Sequence, residues 1–227
     1  MRKVHDDQVL ERNLNKREIA QFKKWGFGPK KPLAFQNVVE AFQKNAAKFP
    51  NDIALEHEGR QLTYLELDQY SEQVAGILRL QKVNAQENVG LFLERSIEMV
   101  IGMLAILKVG AAYVPQDIRL SPMNLLESIV EDAEIETVLS VSKFATKRIA
   151  GCKTINLNEI DFHKKNRIKR SGSEILLDGG CFILFTSGTT GRPNGVKITH
   201  RNFSNLLSSD AGSLGVRARE TVSQLLN

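Results

Sequence analysis

The residues from Phe185 to Lys197 combine the side chains and the backbone freedom that anion binding requires. The apolar segment 180–185 runs directly into four hydroxyl side chains and three glycines within ten residues, 186–195. Glycines let backbone N–H groups converge on an anion, and hydroxyls donate further hydrogen bonds to its oxygens. Arg192 and Lys197 add positive charge. The pattern predicts a site that holds the phosphate chain of a nucleotide.

The spacing of these residues excludes three other loop types. A P-loop ends in Gly-Lys-Ser/Thr, whereas Gly195 is followed by Val196. A dinucleotide fingerprint needs its first two glycines separated by one residue, and a nucleophile elbow needs a glycine two residues before the serine, where this chain has Phe185. One alternative stays open from the residues alone, because a polar hairpin that holds no ligand has a similar composition.

The segments that must position this loop alternate between strand and helix patterns. Short apolar or alternating runs predict strands near 52–57, 89–93, 111–115, 137–141, 154–157 and 180–185, and helical spacing predicts helices near 37–49, 63–78, 96–108 and 121–132. Thr63 and Glu66 form a capping box, and Ser121 is predicted to cap a helix that has Pro122 at its first position. The predicted fold class is α/β, with largely parallel sheets flanked by helices.

Composition narrows the class of protein. The chain has 227 residues, of which 42% are hydrophobic and 25% charged, as in ordinary globular proteins. Two cysteines cannot form a disulfide framework, which favours a reducing, cytoplasmic location. The longest apolar run, 99–107, is too short to cross a bilayer, and the polar N-terminus does not match a secretion signal. We therefore expect no membrane partner.

The net charge of +5 indicates a separate N-terminal segment. Residues 1–35 hold nine basic and four acidic side chains, a surplus of five, so the remainder of the chain is balanced. Apolar residues recur at helical spacing from Leu10 to Trp25, before a Gly-Phe-Gly-Pro break at 26–29. We predict a basic helical linker over 1–35 and one larger domain over 36–227. Nucleic acid is not an expected partner, because no basic face interleaved with aromatic residues follows.

At this point the sequence resembles a known family. Thr186-Ser187-Gly188-Thr189-Thr190-Gly191-x-Pro193-x-Gly195-Val196 resembles the phosphate-loop signature of the AMP-binding, adenylate-forming superfamily. Residues 107–117 and 62–67 resemble its second and first motifs, the former in the form found in non-ribosomal peptide synthetase adenylation domains. The resemblance covers essentially the whole chain. It implies that residues 36–227 are the N-terminal portion of the large subdomain of such a domain.

The resemblance implies a reaction and a set of ligands. A small carboxylate, an amino acid in particular, would attack the α-phosphate of ATP with Mg²⁺, releasing pyrophosphate and forming an acyl-adenylate. The residues implied to bind the nucleotide are Thr186, Ser187, Gly188, Thr189, Thr190 and Gly191, with Lys197 as an added positive charge. Tyr64, Tyr113 and Asp117 are expected to pack the fold, and His200 is expected to be structural. No metal site is expected from the scattered histidines and cysteines, and the catalytic residues stay unidentified.

Two departures from the family pattern qualify that expectation. Asn194 stands where the family usually has lysine, and Ile118 follows Asp117 where the second motif usually has proline. The family's adenine, ribose and catalytic-lysine motifs would lie beyond Asn227, so the 227-residue chain alone is expected to be inactive. Its expected partners are the C-terminal part of the synthetase or a carrier protein. Two alternatives remain open: a non-catalytic nucleotide-binding or interaction fragment, and a fragment of an acyl-CoA synthetase.

Overall fold

The structure, a computed structural model, describes residues 14–26, 32–144, 149–164, 174–186, 193–209, 215–216 and 220–223. The chain divides into two units, Met1–Leu33 and Ala34–Asn227. The first unit contains helix α1 (Lys16–Gly26), which begins after Asn15, whose side-chain oxygen accepts a hydrogen bond from the Glu18 amide (3.0 Å). A helix therefore forms where the sequence predicted a helical linker. The proposed domain boundary at 35/36 stays a prediction.

The second unit alternates between strands and helices along the described chain. Its helices are α2 (Val38–Lys48), α3 (Tyr64–Leu80), α4 (Ile97–Lys108), α5 (Met123–Asp132) and α6 (His200–Leu207). Its strands are β1 (Ile53–His57), β2 (Arg60–Thr63), β3 (Asn88–Phe92), β4 (Ala112–Gln116), β5 (Thr137–Ser140), β6 (Lys153–Asn156), β7 (Gly180–Thr186) and β8 (Asn194–Thr199). Short 3₁₀ helices follow β5 at Ser142–Phe144 and β6 at Leu157–Glu159.

Six of these strands form one sheet in the order β6-β5-β3-β4-β7-β8, while β1 and β2 form a separate antiparallel hairpin. Every neighbouring pair in the large sheet is parallel except β7 and β8, which are antiparallel. The predicted α/β class with a largely parallel sheet is confirmed. Strand β8 was not predicted, because its first four residues are exposed and lack the apolar pattern of a buried strand.

The sheet is covered on both faces, as its apolar strands require. Helix α4 lies against one face and α3 packs on α4, with Leu78, Ile101 and Ile106 buried in that cluster. Helix α5 covers the other face through Leu126 and Ile129. Gly102 allows the close approach of α4, since a Cβ there would lie 2.6 Å from Leu91 Cδ1.

The start of α5 differs from the prediction. Ser121 was expected to cap the helix with Pro122 at its first position, but α5 begins at Met123 and Pro122 itself occupies the N-cap position, with no side-chain cap. The Ser121 hydroxyl instead lies 3.3 Å from Gln116 Oε1 and donates to it. The Ser121 hydroxyl therefore bonds to Gln116 at the end of β4 and does not cap the helix.

The sheet topology marks one edge for ligand binding. The chain leaves β3 toward α4 on one face and leaves the adjacent β4 toward α5 on the other face. Divergence of neighbouring connections opens a crevice outside the carboxyl ends of parallel strands, where α/β folds bind ligands. We call this side of the sheet, beyond Phe92, Gln116, Ser140 and Thr186, the carboxyl edge.

Candidate functional site

The predicted phosphate-binding loop connects β7 to β8 at the carboxyl edge. Strand β7 runs parallel to β4, so Thr186 at its end lies on the same side of the sheet as Gln116. Thr186 pairs with Asn194, the first residue of β8, so the two residues that flank the predicted loop lie side by side. Five of the predicted ligands, Ser187, Gly188, Thr189, Thr190 and Gly191, lie outside the described residues. The structure thus places the base of the predicted loop at the edge where ligands are expected.

The Thr186 side chain contacts the opposite strand at that base. Its exposed hydroxyl lies 3.4 Å from the carbonyl oxygen of Asn194 and donates to it. A hydrogen bond of that length is weak, so the hydroxyl can instead donate its proton to a stronger acceptor such as a phosphate oxygen. Thr186 therefore lies at the loop with a polar group facing solvent.

Lys197 lies apart from Thr186 in the structure. It pairs with Ile183, three positions from Thr186, and because strand residues alternate between faces the two side chains lie on opposite faces. Its Cε and Nζ lie 2.7 Å and 3.4 Å from the point that a Cβ on Gly180 would occupy. Gly180 begins β7, about 20 Å from Thr186 at the usual rise per residue. The structure does not bring these two predicted ligands together, and the role of Lys197 stays a prediction.

Aromatic packing fixes the strand that carries the loop. The Phe182 ring stacks on Tyr113 at 5.4 Å between centroids and meets the edge of Phe203 at 5.2 Å. Burial raises the pKa of the Tyr113 phenol far above its ordinary value, so the group stays neutral. Tyr113 thus has the packing role that the sequence predicted. Tyr64, the first residue of α3, contacts Phe42 of α2, with 6.1 Å between the ring centroids. This contact does not involve the β7–β8 hairpin.

The segment before β7 is fastened to the start of α6. The amides of His200 and Arg201 donate to the carbonyl oxygens of Gly179 (3.1 Å) and Leu177 (2.7 Å). Arg201 also forms a two-point ion pair with Asp178, with distances of 2.5 and 2.8 Å. These bonds join the segment before β7 to the start of the helix that follows β8.

His200 is buried at that junction, with 1% of its surface exposed. Neither ring nitrogen has a hydrogen-bond partner among the described residues. Burial lowers the pKa of the imidazole below its ordinary value, because the charged form would lose its hydration. The position fits the structural role that the sequence indicated.

A network of ion pairs lies at the carboxyl edge, and the sequence analysis did not predict it. Arg119, after β4, lies 2.7 Å from Asp117 and 3.2 Å from Glu94, which follows β3, and Lys143, after β5, lies 3.0 Å from Glu94. The guanidinium of Arg119 lowers the pKa of the Asp117 carboxyl by hydrogen bonding and charge. Asp117 was expected to have a structural role, and it contributes to the structure through its ion pair with Arg119. No sequence spacing could show the network, because its members come from three separate connections.

The part of the chain that the structure describes contains neither a cluster of metal ligands nor a helix that could span a membrane. No group of three or more His, Cys, Asp and Glu side chains could hold a metal ion there. No helix in those ranges is long and apolar enough to span a membrane.

Comparison with protein families gives a match over most of the chain. The model of the family "AMP-binding enzyme" matches residues 42–226. Adenylate-forming reductase 06235 of Coprinopsis cinerea is 34% identical over 220 residues, which cover 95% of this chain and 21% of the reductase. The chain therefore spans about a fifth of the length of that relative.

Solved structures share the fold. The N-terminal subdomain of Klebsiella oxytoca NpsA, in complex with 3-hydroxybenzoyl-AMSN, is 28% identical with a TM-score of 0.66, and the match covers 76% of this chain and 43% of that one. The non-ribosomal peptide synthetase FmoA3 in its AMPPNP-bound form is 25% identical with a TM-score of 0.72, and the match covers 85% of this chain and 20% of FmoA3. FmoA3 is also solved with α-methyl-L-serine-AMP.

Proposed function

The chain belongs to the AMP-binding enzyme family, and we propose that it supplies the phosphate-binding part of an enzyme that activates a carboxylate with ATP. The favoured substrate is an amino acid. The proposed partners are the remaining part of a larger synthetase and a carrier protein. The observation that carries the proposal is the position of Thr186 and Asn194, which flank the hydroxyl- and glycine-rich segment in the sequence, at the carboxyl edge of the sheet.

The proposed step is a displacement at phosphorus, with Mg-ATP as substrate. A carboxylate oxygen attacks the α-phosphorus, the bond to the oxygen that bridges the α- and β-phosphates breaks, and pyrophosphate leaves with the bonding electrons. No proton is transferred. The protein contributes positioning and charge stabilisation. In this chain the Thr186 hydroxyl and the residues from Ser187 to Gly191 are proposed to hold the β- and γ-phosphates.

Two observations on similar proteins support the ligand classes. FmoA3 is solved with AMPPNP, an ATP analogue, which supports a nucleotide triphosphate in this fold. The same synthetase is solved with the adenylate of an amino acid, which supports an amino acid as one carboxylate that this fold accepts. We extend both classes to this chain as part of the proposal.

A second candidate function is a nucleotide-binding protein without catalysis. Asn194 favours it, because this exposed residue lies opposite Thr186 at the base of the loop and has no positive charge. ATP–pyrophosphate exchange driven by a pool of amino acids separates the two functions. We expect no exchange by the 227-residue chain and exchange after the C-terminal part of a related synthetase is added. Nucleotide binding without exchange in either case would favour the second function.

The direct test is a calorimetric titration with Mg-ATP. Thr186→Val keeps the shape of the side chain and removes its hydroxyl, so we expect about fivefold to tenfold weaker binding, the value of one hydrogen bond. Thr221→Val is the matched control, since Thr221 is an exposed threonine outside the hairpin. Lys197→Ala, in the same titration, is expected to weaken binding about twofold or less, because its ammonium lies far from Thr186 and is screened. Equal affinities for Thr186→Val and Thr221→Val would contradict the site.

A further inference from the structure

Phe185 and Gly195 form a contact across the hairpin, next to the two residues that flank the predicted phosphate loop. They pair across β7 and β8, in the position adjacent to the pair of Thr186 and Asn194. Side chains of a cross-strand pair lie on the same face of a sheet, and the next pair lies on the opposite face. The Phe185 ring therefore lies on one face, and the side chains of Thr186 and Asn194 lie on the other.

The Phe185 ring occupies the space that a side chain at position 195 would need. A Cβ on Gly195 would lie 3.1 Å from Phe185 Cζ, 3.2 Å from its Cε1 and 3.3 Å from Ile183 Cγ2. These neighbours have little room to move, because Ile183 is buried and Phe185 packs against the cluster on the face that α5 covers. Gly195 is not among the glycines with a positive φ, so its backbone conformation does not require glycine. The close approach of the ring does.

This fit distinguishes the observed register of β8 from the neighbouring registers. Gly195 is the only glycine in β8. A slip of one residue would place Asn194 or Val196 opposite Phe185, and either side chain would enter the space of the ring. The same slip moves every side chain of the strand to the other face. Asn194 would then no longer share a face with Thr186.

We infer that Phe185 and Gly195 are a positioning pair for the nucleotide site: their contact holds β8 in the register that presents Thr186 and Asn194 on one face. The inference rests on the proposed function, because this register matters for a nucleotide only where the loop holds phosphate. The ring lies on the opposite face from Thr186, so its effect on binding is indirect. It acts through the fraction of molecules whose hairpin has the observed register.

Disulfide formation measures the register without any nucleotide. Leu184→Cys with Val196→Cys places two cysteines at an exposed, directly opposed pair, whose spacing suits a disulfide. A one-residue slip turns the cysteine at position 196 to the other face and prevents the bond. We expect Gly195→Val in this background to slow the oxidation about fivefold, which corresponds to four-fifths of the molecules leaving the register. Mass spectrometry identifies the bond.

Gly26→Val is the matched control, because a Cβ at Gly26 would have its nearest neighbour 3.9 Å away, an ordinary contact. It is expected to leave the rate of oxidation unchanged. Equal rates for Gly195→Val and Gly26→Val would overturn the inference.

A second substitution tests whether the ring is the cause. Phe185→Leu removes about the volume that Gly195→Val adds, so the double variant restores the packing of the contact. We expect it to recover most of the lost rate. A double variant that oxidises no faster than Gly195→Val would overturn the pairing of ring and glycine, also where Gly195→Val alone folds poorly.

Calorimetric titration with Mg-ATP tests the positioning role in chains without the added cysteines. Because only molecules in the observed register bind, Gly195→Val is expected to raise the dissociation constant by the same factor, about fivefold, and the double variant to lower it again. Slower oxidation with an unchanged dissociation constant would overturn the positioning role. Absence of binding by the unsubstituted chain would contradict the proposed function, whereas the oxidation rates would still decide whether the contact sets the register.

Discussion

Two regions of the molecule differ in where their polar residues lie. The contact between α3 and α4 buries charged side chains, whereas the hairpin of β7 and β8 exposes its polar residues. Between the helices, the ammonium of Lys108 is buried and donates to Asp68 Oδ1 (2.7 Å) and to the Asp68 carbonyl oxygen (2.8 Å). Glu72 completes this group, since it lies 3.6 Å from Lys108 and 2.8 Å from Arg79. In the hairpin, by contrast, the first four residues of β8 and Thr186 are exposed.

The difference separates two motifs that resemble the same family. Lys108 belongs to the motif at 107–117, and its ammonium forms an ion pair with Asp68 that joins α4 to α3. Gly110 in the same motif has a φ of +79°, which suits a glycine at the end of α4. Thr186 begins the motif at 186–196, and it is exposed, as are Asn194 and Gly195 in the same motif. We conclude that the first motif maintains the fold and the second provides the candidate site.

Replacing Lys108 with methionine tests the first half of this comparison and has the largest expected effect. Lys108→Met keeps much of the apolar stem and removes the ammonium that forms an ion pair with the buried Asp68 carboxylate. Breaking one side of a buried ion pair costs about 3–5 kcal/mol. We expect the free energy of unfolding, measured with urea, to fall by that amount.

The control is the exposed pair of Lys44 and Glu40 on α2, which are 2.6 Å apart. Lys44→Met removes the same charge at the surface and is expected to change the free energy of unfolding by less than about 0.5 kcal/mol. Similar losses for Lys44→Met and Lys108→Met would contradict the structural role assigned to the buried group.

The sequence was sufficient for the fold class because helix and strand periodicity is local. The capping box of Thr63 and Glu66 is confirmed, with the Glu66 amide 3.2 Å from the Thr63 hydroxyl. The partner of Lys108 could not be predicted, since Asp68 lies 40 residues earlier and no short pattern connects them. The same reason hid the contact between Arg119 and Glu94. Interactions over long sequence separations need the tertiary structure.

The sequence predicts which residues make up the candidate site, and that prediction stays open, but the sequence does not predict the geometry of the site. A run of glycines and hydroxyls after an apolar strand indicates an anion site whatever the sheet order. The separation of Lys197 from Thr186 depends on strand alternation within β8, a strand that the sequence analysis did not predict. The position of a cation relative to a loop therefore needs the strand register, which the sequence analysis did not contain.

The pH dependence of stability tests the junction between hairpin and helix, and its expected effect is intermediate. His200 has a folded pKa below its unfolded value of about 6.5. Well above pH 6.5 the His200 imidazole is neutral in both the folded and the unfolded chain, so it does not make the stability depend on pH. As the pH falls below it, the unfolded chain binds a proton that the folded chain does not. The free energy of unfolding then decreases by up to about 1.4 kcal/mol per pH unit, until the folded pKa is reached.

Urea unfolding between about pH 7.5 and 5.5 measures this decrease, with His200→Phe as the reference protein. Phenylalanine fills the buried space and does not titrate, while the other histidines are present in both proteins and cancel in the comparison. We expect the wild type to lose more stability than His200→Phe over this range. Parallel pH profiles would show that His200 is equally protonated in both states.

The change expected at Asn194 is smaller than that at Lys108, and it bears on function. Asn194→Lys restores the positive charge that the family usually has beside the last glycine of the loop. Asn194 is exposed and lies opposite Thr186, so the longer side chain has room to reach a phosphate at the loop. A charge-assisted hydrogen bond in place of a neutral one should strengthen Mg-ATP binding about tenfold in calorimetry. Asn194→Gln lengthens the side chain without the charge and should leave the affinity nearly unchanged. Stability should be equal in both variants, because Asn194 makes no contact like that of Lys108. If Asn194→Lys binds no better than Asn194→Gln, phosphate is not held at this end of the hairpin, and its exposed polar groups lose the role that distinguishes them from the buried ones.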